Sequence, residues 1–169
     1  MYSRDAEGRP QMVLLERAAY ESAKTGGFSA YSLTHGIAKI KSKAVLPGRY
    51  AGIRTTDQNV VFYFYFDHKA ELGESSFLHT VSNPSQFSLV KLAERKATRE
   101  TLTGEFGIWS GMSTGTDENA RITFKSDKIR TGLYKVTPSV VLPNGEYCFL
   151  ALGPDRAANI YDFGFGAGM

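Results

Sequence analysis

Cysteine is almost absent from this chain. Cys148 stands alone, so no internal disulfide can form, and the redox compartment cannot be read from it. Its neighbours Tyr147 and Phe149 belong to an apolar run, where a lone cysteine reads as a small buried hydrophobe rather than a reactive thiol. Histidine is nearly as scarce. His35, His68 and His79 lie far apart with no cysteine partners, which gives no metal-ligand spacing and no metal or other cofactor to assign. Long apolar runs are missing too. The longest, near residues 60 to 66, is far short of the roughly 20 residues a membrane helix needs. Membrane insertion by a helix is therefore not expected.

Charge of one sign is also lacking. Twenty Lys and Arg are set against 17 Asp and Glu, for a net +3, and the basic residues are spread rather than gathered, which argues against nucleic acid as a partner. The stripe Lys39, Lys41 and Lys43 reads as a solvated face or as protection of an edge strand. No P-loop or dinucleotide fingerprint is present, and no catalytic residue is assigned. The opening "MYSRDAEGRP" has no apolar export core. The chain is expected to be cytoplasmic, or a trimmed piece of an exported or cell-envelope protein.

What is present is alternation with a period of two. "MVLLE" follows the turn "DAEGRP" as the second arm of a hairpin, and "HGIAKIKSKAVL", "GRYAGIRTT", "NVVFYFYFD", "QFSLVKLAE", "RETLTGE", "RITFKS", "GLYKVTP", "GEYCFLAL" and "NIYDFGF" follow. Each is bounded by Gly, Pro, Asn or Asp. Short strands at regular spacing predict a single all-β domain over residues 1–169, a two-sheet sandwich or partly closed barrel of about ten strands with little helix. Only "LLERAAYESAK" and "ESSFLHTVSNPSQ", the latter started by Ser75 or Ser76, have helical potential. Residues 45–67 and 141–166 share a Val-Leu-Pro start, a tyrosine strand and an aromatic strand, with Tyr50 matching Tyr147 and Phe62, Phe64 and Phe66 matching Tyr161, Phe163 and Phe165. Duplication of a hairpin unit and convergent hairpin chemistry both give this pattern.

In the strip "FYFYF", Phe62, Phe64 and Phe66 fall on one face, Tyr63 and Tyr65 on the other. The phenylalanine face predicts core. The tyrosine face, whose hydroxyls need partners or water, predicts a partly covered surface. Carboxylates for acid-base work would come from Asp67 and Asp162. Asp162 interrupts "IYDFGF" and needs hydrogen-bonding or charged partners if it is half-buried. Residues 104–120 read as a long glycine-rich loop carrying Phe106, Trp109 and Met112, and long loops in small domains concentrate function. Two roles are open to it: a plug for one end of the sandwich, or a contact surface.

The segments "YSRDAEGRPQMVLLE", "VVFYFYFD", "FSLVKLAERKATRE", "YKVTPSVVLPNGEYCFLALG" and "YDFGFG" resemble parts of uncharacterised bacterial proteins built on a β-rich domain of unknown function. That resemblance implies a domain common in exported or cell-envelope proteins, with no catalytic residues to carry over. The residues and the resemblance together predict a non-enzymatic binding module that uses strand edges and the 104–120 loop. Its partner would be another protein or a second copy. The rival expectation is a carbohydrate or other small ligand held at an aromatic surface around Trp109. Tentative contact residues under these readings are Trp109, Phe106, Met112, Tyr63, Tyr65 and Asp162.

Overall fold

The computed structural model describes residues 1–5, 7–25, 40–66, 81–107, 111–114, 117–152 and 158–167, with the backbone alone at 24–25, 40, 105–107 and 111–114. The chain opens as a hairpin of β1 (Tyr2–Arg4) and β2 (Pro10–Met12), with Tyr2 opposite Met12. Its turn closes on Asp5, whose carboxylate accepts the amides of Glu7 at 3.1 Å and Arg9 at 2.8 Å, a side chain standing in for a backbone turn. A bridge from Tyr2 to Val61 fastens this hairpin to the body of the fold.

The described residues form fifteen strands in four sheets, with no helix of seven residues or more. Strands β3 (Glu21–Thr25), β4 (Ile40–Pro47), β8 (Ala93–Glu94), β9 (Thr98–Gly107) and β10 (Gly111–Thr114) make one sheet. A second runs β11 (Arg121–Ile122), β7 (Ser88–Lys91), β14 (Gly145–Leu152), β15 (Ala158–Phe165) and β5 (Arg54–Thr55). A third runs β12 (Phe124–Arg130), β13 (Leu133–Pro138) and β6 (Phe62–Tyr65). The fourth is the opening hairpin. All pairings are antiparallel except β15 with β5.

The middle sheet is buried on both faces, and the alternation of β14 shows how. Tyr147, Phe149 and Ala151 join Phe62, Val136, Phe163 and Phe165 in one apolar cluster against the β12–β13–β6 sheet. Cys148 and Leu150 turn the other way and pack with Ala44, Leu46, Val90 and Ile160 against the β3–β4–β9 sheet. The all-β sandwich expectation holds, with sheets on both sides of the central one and no closed barrel among the described residues. Aromatic edges lock the first cluster: Phe62 meets Phe149 at 4.8 Å and 75°, and Phe64 meets Phe149 at 4.9 Å and 85°. Such edge-to-face pairs add about 0.5–1.5 kcal/mol beyond area burial.

Several local expectations change. Residues 14–20 of "LLERAAYESAK" are irregular and lead into β3. They lie along the edge of β15, where the Ala18 amide donates to Ile160 O at 2.8 Å and the Ala158 amide donates to the Tyr20 hydroxyl at 2.7 Å. Docking to a strand edge satisfies the backbone without a helix. Ser75 and Ser76 lie outside the described residues. The short helical turn that is seen, Pro84–Gln86, is capped by Asn83 instead. Of "GRYAGIRTT" only Arg54–Thr55 is strand, and β5 and β6 sit in different sheets. Residues 45–67 are therefore not a hairpin, whereas β14 and β15 are.

Candidate interaction surface and a buried ion network

The two faces of "FYFYF" separate as alternation requires. Phe62 is buried and Phe64 and Phe66 pack against the same core, while Tyr63 is half-buried and Tyr65 is 67% exposed. Directly opposed residues of an antiparallel pair share a face. Tyr63 opposite Lys135 and Tyr65 opposite Leu133 therefore continue onto β13. From β13 the same face reaches β12 through Thr137 with Lys125, Lys135 with Asp127, and Leu133 with Arg130.

The last of these pairings depends on a bulge. The register of β12 shifts between Lys128 and Arg130, at Ile129. One extra residue re-aims whatever follows it, so Arg130 joins Lys125 and Asp127 on the outer face. The turn that follows holds Gly132 at φ +72°, a left-handed conformation glycine adopts without steric cost. Residues 124–138 carry Lys125, Lys128, Arg130 and Lys135 against the single carboxylate of Asp127, a net +3 that equals the charge of the whole chain. All five are exposed, and among the described residues none of the four cations has an ion-pair partner.

Strand β12 is also an edge. Among the described residues it pairs with β13 on one side only, and every residue after Phe124 is exposed. An edge strand leaves a row of backbone donors and acceptors without partners. Sequence reading missed this surface, although "FKSDKIRTGLYK" concentrates four cations in one hairpin. The lysine stripe it singled out instead is not an edge. Lys41 and Lys43 lie on β4 between β3 and β9, and Lys43 Nζ is 2.8 Å from Glu100 Oε2; Lys39 lies outside the described residues.

Asp162 is on the opposite side of the central sheet, away from Tyr63 and Tyr65, and belongs to a buried network. Glu146, with no exposed surface, takes the Arg54 guanidinium on one oxygen and the Ala51 amide at 2.6 Å on the other, with Arg99 Nη1 3.6 Å away. Arg99 in turn donates to Asp162, to Pro47 O at 2.9 Å and to Gly48 O at 3.1 Å. The charged partner that a half-buried Asp162 needs is thus a guanidinium. Arg54 stays close because Gly164 has no side chain: a Cβ there would come 2.3 Å from Arg54 Nη1. The signals for this network are "GEYCFLAL" and "ATRETLT", each an apolar or alternating strand with one inward charge.

The remaining sequence candidates fall elsewhere. Residues 104–107 and 111–114 are the arms of the β9–β10 hairpin, with Met112 opposite Phe106 in the ladder. The described residues of the predicted long loop are thus mostly strand, because glycines at 104, 107 and 111 sit within a ladder rather than interrupting it. Trp109 and the side chains of Phe106 and Met112 lie outside the described residues, as do Asp67 and the three histidines. Cys148 is buried as expected, and burial first, then Asp162, pushes its thiol up. Among the described residues no helix is long and apolar enough to cross a membrane. No family model, curated protein or solved structure matches the chain, so the functional reading rests on its own residues.

Proposed function

We propose that the protein is a non-enzymatic interaction module that captures an extended segment of a partner protein along β12. The observation that carries this reading is a seven-residue edge strand, paired on one side only among the described residues and exposed from Lys125 to Arg130. Addition of a strand to such an edge draws affinity from main-chain hydrogen bonds and specificity from the alternate side chains. The engagement of Glu146 and Asp162 by arginines supports the absence of acid-base chemistry. Self-association through β12 would set one net +3 hairpin against another, which favours a different protein as partner.

A carbohydrate reading has less behind it. Tyr65 is the one strongly exposed aromatic among the described residues, and a sugar site needs a concave aromatic surface with polar groups around it. The test is backbone-amide NMR of the full chain titrated with three eight-residue peptides, made of Thr-Val, Glu-Val or Lys-Val repeats. Saturable shifts confined to β12 and its β13 neighbours support the module. If none of the three moves these amides, the reading is wrong.

A further inference from the structure

We propose that the segment captured at β12 is acidic. This inference rests on the edge-strand reading above and adds the chemistry of the partner. The edge itself asks for a polypeptide, because the N–H and C=O groups of β12 left without a strand partner among the described residues repeat at strand spacing, and nucleic acids and glycans carry no matching main-chain ladder. The side chains then set the charge. Lys125 and Arg130 of β12 and Lys135 of β13 share the outer face, and Lys128 flanks the edge on the other face. None of them has an ion-pair partner among the described residues. Only Asp127 opposes them, opposite Lys135.

Lysines on an edge are also a defence against aggregation, since a second strand must desolvate or approach them. That defence works against neutral strands and against a second copy. It fails against a strand whose alternate positions are glutamate or aspartate, because like-charge repulsion becomes cross-strand attraction. The bulge at Ile129 matters here: without it Arg130 would fall on the face opposite Lys125, and the outer row would lose one of its cations.

The experiment compares the same three peptides on the full-length chain, by NMR titration and by fluorescence anisotropy of labelled peptide. A 15-nucleotide oligothymidylate serves as the polyanion without an amide backbone. The expected result is that the Glu-Val peptide binds at least about tenfold more tightly than the Thr-Val peptide, that Lys-Val does not bind, and that raising salt from about 50 to 500 mM removes most of the preference. The variant Lys125→Glu/Arg130→Glu, its fold checked by far-UV circular dichroism, should lose the preference, while Lys96→Glu, an exposed cation elsewhere, should keep it. Equal affinity for Glu-Val and Thr-Val overturns the acidic inference and leaves the edge reading standing. Tighter binding of the oligothymidylate at the same amides also overturns it, in favour of a nucleic-acid surface. Silence of β12 toward all three peptides sinks both.

Discussion

Replacing Arg99 by methionine is the most direct assault on the buried network. Arg99 has a side chain only 5% exposed, and it joins β9 to the central sheet through Asp162 and Glu146. It also supplies the donors for Pro47 O and Gly48 O. Methionine fills much of the volume and returns none of these bonds. Residues 47 and 48 are exposed, so water can reach their carbonyls and the loss there is small. The carboxylates are different. Glu146 keeps Arg54 and the Ala51 amide, but Asp162 loses its guanidinium, and removing one partner of a buried pair costs about 3–5 kcal/mol. For a domain of this size that corresponds to a drop in Tm of roughly 6–20 °C. Urea titration of wild type, Arg99→Met, Asp162→Asn and the double variant measures both the cost and the coupling, which should lie between about 0.5 and 3 kcal/mol. A cost for Arg99→Met below about 1 kcal/mol, or strict additivity of the two substitutions, would refute the claim that this network ties the sheets together.

Three further outcomes follow from the same geometry. Gly164→Ala places a methyl 2.3 Å from Arg54 Nη1 and 2.5 Å from Cζ, and should destabilise by about 1–3 kcal/mol, whereas Gly52→Ala, with open space around it, should lie within about 0.5 kcal/mol of wild type. The Lys43 ammonium, followed by Arg95, holds the Glu100 carboxyl below its ordinary value of 4.5. Its stabilisation is present above that value and disappears as pH falls through the lower folded one. Because the pair is partly exposed it is worth no more than about 1 kcal/mol, and acid titrations of wild type and Lys43→Met should converge below that window. Cys148, buried with its thiol pushed up, should resist alkylation in the native state and react only as fast as the protein opens. Rapid labelling of the folded chain would contradict its placement in the core.

Most of the strands were legible because they lie in a fold where alternation reports burial directly. "GEYCFLAL" reads as strand because Tyr, Phe and Ala alternate with Cys and Leu, and both sets find a sheet to face. "GRYAGIRTT" alternates as well, yet only two residues are strand. The carbonyls of Pro47 and Gly48 and the amide of Ala51 are taken by Arg99 and Glu146, partners more than 45 residues away that no local pattern announces. The 104–120 segment misled for the opposite reason, since its glycines suggested a loop while the ladder with Phe106 and Gly107 fixed a hairpin. Among the contact candidates, the outward placement of Tyr63 and Tyr65 followed from strand parity. The cations beside them did not, because Arg130 reaches that face only through a bulge, and a bulge is a property of pairing rather than of sequence period.

The double burial of β14 and β15 also orders events in time. The strands that cover the central sheet, β3, β4, β6, β8 to β10, β12 and β13, all precede residue 139, whereas the hairpin at its centre is made of residues 145–165. During synthesis the outer layers leave the ribosome first, at about 5–20 residues per second, with their apolar faces turned toward a sheet that does not yet exist. For several seconds Phe62, Val136, Ala44 and Leu46 have no lasting partner. Until β14 and β15 are made, those apolar faces lack the two strands that contribute most of the surface they cover in the finished fold.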